Sequence, residues 1–525
     1  MKRYILIIAA FFTAGISGCK KDYLSLETNP NIPSVTSPQL TLAAALNRAA
    51  TIVATDYNQY GVWAGYWTTS GNYVPNQSVN QFQITNQNFV NTWNDWYTVL
   101  TNLNNLQKTA TADPSLANFQ AIAMIMKVYG FQHLVDDYND VPYSQAFQPS
   151  TILFPAYDKG SDIYEDLGKQ LDAAIALINS KSATATVPGP SDILFSKYET
   201  PKGGIGTEMV AWKKFANSLK LRLAIRVSSK TPGDPLVTDL ASTASEGYLD
   251  GTLEARANPT YSNSAGKQNP FYASFGLDPT GNEAAGSVYW RANKFGVELL
   301  RQYNDPRLGK LYSLTLPQGA PVTDPPSVYH GNIFGDTKAS NLTNSNNSGV
   351  GPGLDQSAGQ DAILFSGAES LFLQSEAALF GYIPGGAATA QTYYEAGITA
   401  SFADLNAGAA GAYYSQPVQN VGWAASSVAT TATATSPAMT VQQNQQQAII
   451  TQKWIALNGY FNFEAWNEYR RTGFPVHPSS IDPAAVSATY PTRIFYPLSE
   501  LNTNPDNLAK EGTIDIFNSK IFWAK

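Results

Sequence analysis

Only one cysteine, Cys19, and three histidines, His133, His330 and His477, occur in 525 residues. A single cysteine excludes an internal disulfide framework, so the fold has to rest on a buried core. Three scattered histidines, with no HExxH and no paired Cys/His spacing, exclude the ordinary zinc sites. Charged residues are 14% of the chain, the net charge is −7 and no basic cluster is present, which excludes a nucleic-acid binder. There is no glycine-rich phosphate loop and no G-x-S-x-G turn. No long apolar run of the roughly 20 residues that a bilayer span requires occurs. No metal and no cofactor is expected. What the chain does have is 43% hydrophobic residues, enough for a large core. It also has 10 Trp, 29 Tyr and 24 Phe, several of them in loops where packing does not require them. Asn, Gln, Ser, Thr and Gly fill the polar space that charges leave open, a composition that favours neutral polar ligands.

The start of the chain has its own logic. Met1-Lys2-Arg3 is basic, residues 4–16 are apolar, and Ile16-Ser17-Gly18 precedes Cys19. A basic end, a short apolar stretch and small residues describe an exported precursor. The Ile-Ser-Gly-Cys run resembles a bacterial lipobox, in which Cys19 is acylated and holds the protein to membrane lipid. Each buried methylene contributes about 0.8 kcal/mol, and two chains hold stably. The expected organisation is a lipoprotein signal peptide at 1–18, a lipidated tether at 19–35 and a single domain at 36–525.

Apolar periodicity and capping residues predict helices at 37–54, 89–106, 113–131, 159–178, 207–227, 295–303, 362–380, 388–402, 448–457 and 458–471. Ser37-Pro38 and Asp113-Pro114 are cap-then-proline starts. In 207–227 the apolar residues Trp212, Phe215, Leu219 and Leu223 share one side, with Lys213, Lys214, Lys220 and Arg226 mostly off it. The 362–380 and 388–402 helices, joined by a Gly/Pro turn, make an αα-hairpin of the tetratricopeptide kind. Long stretches rich in Gly, Pro, Ser, Thr and Asn at 180–206, 228–290, 304–360 and 405–444 read as elaborated loops on that scaffold. The fold class is mostly α: a tetratricopeptide-like helical-pair scaffold with long irregular binding loops.

Seven separated pieces of the chain resemble, in order, the SusD/RagB family of Bacteroidetes outer-membrane nutrient-binding lipoproteins, in its SusD-like branch. They are Asp140-Val141-Pro142-Tyr143-Ser144-Gln145-Ala146, Pro155-Ala156-Tyr157-Asp158, and the run from Lys214 to Arg226, KFANSLKLRLAIR. Glu369 to Ala378, Tyr394-Glu395-Ala396-Gly397-Ile398, Ile450 to Leu457 and Arg493-Ile494-Phe495-Tyr496-Pro497 complete them. Asn139 stands where the family usually has glycine. The resemblance implies four tetratricopeptide-like helix pairs in a SusD-like α/α superhelix. It also implies a non-enzymatic protein, lipid-anchored at the outer membrane and facing outward. Such a protein captures an oligosaccharide or polysaccharide and delivers it to a SusC-type TonB-dependent transporter. Two other classes stay open on the residues alone: a helical glycoside hydrolase or lyase, and a transporter partner that binds peptide or another non-glycan nutrient.

The first binding candidate is the segment 57–73, with Trp63, Tyr66, Trp67, Asn72 and Tyr73 among glycines and amides. A sugar presents an apolar C–H face to a flat ring and a rim of hydroxyls to amides. Trp63 and Trp67 are also four apart, the spacing of one helical face, so packing competes with ligand contact. Tyr272, Tyr289, Trp290 and Trp423 are further candidates. Glu369 and Glu376, two turns apart on one helix, read as links between helices rather than a catalytic pair. The acidic turn Asp136-Asp137-Tyr138-Asn139-Asp140 lacks the order of an EF-hand and reads as a solvated turn.

Overall fold

A computed structural model describes residues 36–55, 58–181, 184–198, 207–317, 325–338, 343, 345–433 and 437–525. The signal peptide, Cys19 and the tether lie outside the described residues. The elements used below are α1 (Pro38–Thr55), α2 (Asn58–Trp63), β1 (Trp67–Thr69), α3 (Val90–Ala112), α4 (Ala117–Tyr138), α5 (Gly160–Lys181), α6 (Thr207–Ser228), β2 (Ala255–Ala257), α7 (Pro270–Phe275), α8 (Ala285–Tyr289), β3 (Trp290–Ala292), α9 (Lys294–Gln302), β4 (Ala362–Phe365), α10 (Gly367–Phe380), α11 (Gly386–Asp404), α12 (Val441–Leu457) and α13 (Asn462–Thr472). Helices α3/α4, α5/α6, α10/α11 and α12/α13 form four packed pairs, and α10 also packs on α12. Two short antiparallel ladders, β1–β3 and β2–β4, tie the loops to this scaffold.

Local chemistry sets the helix ends. Asp113 accepts from Ser115 N at 2.9 Å and caps a tight turn that leads into α4. Ser366 accepts from Glu369 N at 3.1 Å and starts α10. Residues 362–365, expected as the first turn of that helix, are instead the strand β4, paired with β2. The apolar run Ala-Ile-Leu-Phe satisfies either geometry, and the serine cap decides where the helix begins. Gly381, with φ 76°, ends α10 in the left-handed region that glycine adopts without strain.

The polar side of α6 does not face water. Lys213 pairs with Glu246 at 2.6 Å, and Lys220 with Asp172 and Asp239 at 2.7 Å each. Arg222 grips Glu369 with two bonds of 2.8 and 2.9 Å. Arg226 pairs with both Asp136 and Glu464, and Trp523 Nε1 donates to Asp136 at 2.8 Å. On α13, Arg471 binds Glu376 at 2.7 Å and Glu468 at 2.6 Å, while Lys453 binds Glu468 at 2.9 Å. All of these groups except Glu246, Asp172 and Asp239 are buried. Glu369 and Glu376 are therefore links between helices, as expected. The expected solvated turn at 136–140 is corrected, because Asp136 and Asp137 end α4 inside the protein. Burial pushes the Glu464 carboxyl up in pKa, but Arg222 and Arg226 outweigh it and hold it low. Among the described residues no cluster of metal-ligating groups occurs, and no helix is long and apolar enough to cross a membrane.

Candidate functional site

Of the segment 57–73, the described residues 58–73 divide between core and surface. Trp63, on α2, is fully buried between Tyr60, Phe89 and Trp466, with ring centres at 5.1, 5.6 and 5.1 Å. Tyr66 is fully buried against Trp454 at 4.5 Å, its hydroxyl donating to the Trp454 carbonyl. Trp67 is 4% exposed, edge-on to Tyr312. Trp423 is 6% exposed and packs on Tyr394 at 5.3 Å. The expectation that these four rings offer faces to a ligand is corrected: residues distant in the sequence already cover them. Gly61 shows how tight this region is, since a Cβ there would sit 2.7 Å from the Trp67 ring.

Asn72, Tyr73, Tyr289 and Trp290 are instead brought together at the surface. The antiparallel β1–β3 pairing sets Thr69 opposite Trp290, and Ser70 N donates to the Tyr289 carbonyl at 3.0 Å. That register carries Tyr73 onto Tyr289, ring centres 4.8 Å apart, and Tyr289 edge-on to Trp290 at 4.7 Å. Tyr73 is 39% exposed, Asn72 is exposed, and Tyr289 and Trp290 are half-buried. Behind them a small crevice of about 10 Å³, lined by Trp67, Phe271, Phe275 and Asn462, is too small for a sugar.

Of two polar groups absent from the sequence reading, Asn76 shapes this apron and Asp355 lies near Tyr272. Asn76 Nδ2 donates to the Tyr289 hydroxyl at 2.7 Å and fixes its ring. Burial raises the Tyr289 pKa against that bond, which keeps the phenol neutral. Tyr272 lies on α7, which packs against α8, and is half-buried beside Gly276. Asp355 meets the same glycine: a Cβ at Gly276 would lie 2.7 Å from its Oδ1 and 2.9 Å from Tyr272. Burial pushes the Asp355 carboxyl up to about 6. A polar residue three positions beyond Tyr73 was the available signal for Asn76. Nothing local marked Asp355, which meets Gly276 and the neighbourhood of Tyr272 only through the fold.

The arrangement offers aromatic rings set at steep angles to one another and neutral hydrogen-bonding groups. The family model described as "Starch-binding associating with outer membrane" matches residues 30–497, and the chain belongs to this SusD-like family. Its members are non-catalytic, outer-membrane-associated nutrient-binding proteins that partner SusC transporters. Among solved structures, a chitin-binding protein is 24% identical with a TM-score of 0.71, covering 93% of this chain and 100% of that one. A chitin-binding SusD homolog from Flavobacterium johnsoniae is 22% identical with a TM-score of 0.71, covering 93% and 98%. A SusD homolog from Bacteroides uniformis is 24% identical with a TM-score of 0.67, covering 92% and 99%. At these identities the likeness is one of fold. No curated protein matches the chain.

Proposed function

We propose that the chain captures a neutral oligosaccharide on the apron of Tyr73, Tyr289 and Trp290, with Asn72 and Tyr272 at its edge. It then delivers the ligand uncleaved to a SusC-type TonB-dependent transporter. In this proposal residues 36–525 act as one domain, carried on the 19–35 tether and held to the outer face of the outer membrane by acylated Cys19 once the 1–18 signal is removed. The observation that carries the reading is the β1–β3 register, which gathers aromatic rings from two distant loops onto one accessible surface. Flat rings meet sugar C–H faces, and amides exchange bonds with hydroxyls. Because water is displaced from both partners, net affinity stays modest, which suits release into a transporter.

Starch and chitin oligosaccharides are the first probes, since the family description and two structural neighbours bear those names. Calorimetry with maltohexaose and chitohexaose, in the wild type and in Tyr289→Ala and Trp290→Ala, tests the proposal. A loss of affinity of about tenfold or more in each variant is expected, the order of 1.4 kcal/mol. Binding that survives both changes would remove the apron as the site. Silence toward saccharides together with capture of the transporter would support a non-glycan nutrient instead.

A further inference from the structure

Building on the saccharide reading above, we propose a second carbohydrate site at the opposite end of the α12–α13 hairpin from the apron. Helix α12 runs toward the apron, the chain turns at 458–461, and α13 runs back. Gly459 and Asn462, at the turn, line the small crevice beneath Trp67 and Trp290. Arg471 and Thr472, at the other end of α13, line a cavity of about 1130 Å³. At 1.5 Å rise per residue the two ends of α13 are roughly 15 Å apart. The crevice and the cavity have no lining residue in common.

The cavity is built for a neutral polyhydroxyl ligand. In its lining, Arg471 holds Glu376 through bonds of 2.9 and 2.7 Å, and Gln446 Nε2 donates to Glu376 at 2.8 Å. Gln443 and Gln447 lie one helical turn apart on the same face of α12. From α10 and the turn after it come Phe380 and Tyr382, half-buried and stacked, with ring centres 5.9 Å apart and planes at 16°. Aromatic faces, amides and a hydrogen-bonded charge pair are the groups that recognise a pyranose ring and its hydroxyls. The buried charges compensate each other, because Arg471 is shared by Glu376 and Glu468. Lys230 and Lys525 are exposed, each donating to a backbone carbonyl at 3.4 Å. Ligand cavities run to roughly 300–1,000 Å³ for drug-sized molecules, so this one takes a short oligosaccharide.

Calorimetry on the full mature chain with maltohexaose, cellohexaose, xylohexaose and chitohexaose tests this, in wild type, Trp290→Ala, Tyr382→Ala and Gln447→Ala. At least one sugar should bind with two equivalents per protein. Trp290→Ala should remove one equivalent and Tyr382→Ala the other, each with at least a tenfold loss. Gln447→Ala should weaken the same equivalent as Tyr382→Ala, which keeps the test valid if Tyr382→Ala does not fold. A single equivalent, lost in Trp290→Ala and unchanged in Gln447→Ala, overturns the second site and leaves the proposed function standing. Failure of all four sugars to bind the wild type overturns both.

Discussion

Trp63 and Tyr73 come from one stretch of chain and end in opposite surroundings: Trp63 is sealed among helices, and Tyr73 opens to solvent on the apron. The same division holds for charge. The helical interior holds Arg222, Arg226, Arg471, Glu369, Glu464 and Asp136, while Asn72, Tyr73, Tyr289 and Trp290 on the apron are uncharged. A protein with few charges has concentrated many of them where helices must be locked to one another, and has left rings and amides for the outside. Buried pairs of this kind gain little over an apolar packing, but removing one partner is costly because the other stays buried and uncompensated.

That contrast can be broken most severely at Arg226. Arg226→Met leaves Asp136 and Glu464 without their shared guanidinium and should cost about 3–5 kcal/mol, read as a lowered urea midpoint. A loss under about 1 kcal/mol would mean that the interior charges are not coupled as their geometry implies. A smaller effect is expected at His477, 6% exposed among Phe295, Tyr469 and Tyr490. Burial lowers its pKa from 6.5 to about 3. The folded value lies below the unfolded one, so its stabilisation is present above pH 6.5 and is lost as the pH falls toward 3. Between those limits each pH unit costs about 1.4 kcal/mol. His477→Phe should lessen but not abolish the wild-type fall in urea stability between pH 6.5 and 4.5, because burial lowers His133 to about 3 in the same way; parallel slopes would show that water reaches the ring. The mildest and sharpest test is Tyr73→Ala. Stability should stay within about 0.5 kcal/mol, as for exposed positions. Saccharide affinity should fall by about 1 kcal/mol, the worth of one aromatic contact, as measured by calorimetry. Equal losses of stability and binding would place Tyr73 with the interior rings.

How much of this was legible in sequence follows from the range of the interactions. Helices α5, α6, α11 and α13 were readable because their apolar spacing and caps are local. The charged face of α6 was visible too, but its partners Glu369, Glu464 and Asp136 lie on other helices, so a side that reads as solvated is in fact buried. The spacing of Trp63 and Trp67 signalled packing as well as ligand contact, and only Phe89, Trp466 and Tyr312, contributed from afar, decide between them. Strands β1 and β3 have three residues each, too short for an alternation to show. Yet their register unites Tyr73 with Tyr289, and this is why the aromatic loops could be nominated separately but not assembled.

One consequence of the Arg222–Arg226–Arg471 network concerns dissolved salt. Dissolved ions weaken attractions between surface charges beyond about 10 Å at 0.1 M, but scarcely reach pairs enclosed by protein. A scaffold fastened by enclosed ions is therefore indifferent to brine in its shape, and under the proposed function so is a grip made through the uncharged rings and amides of the apron.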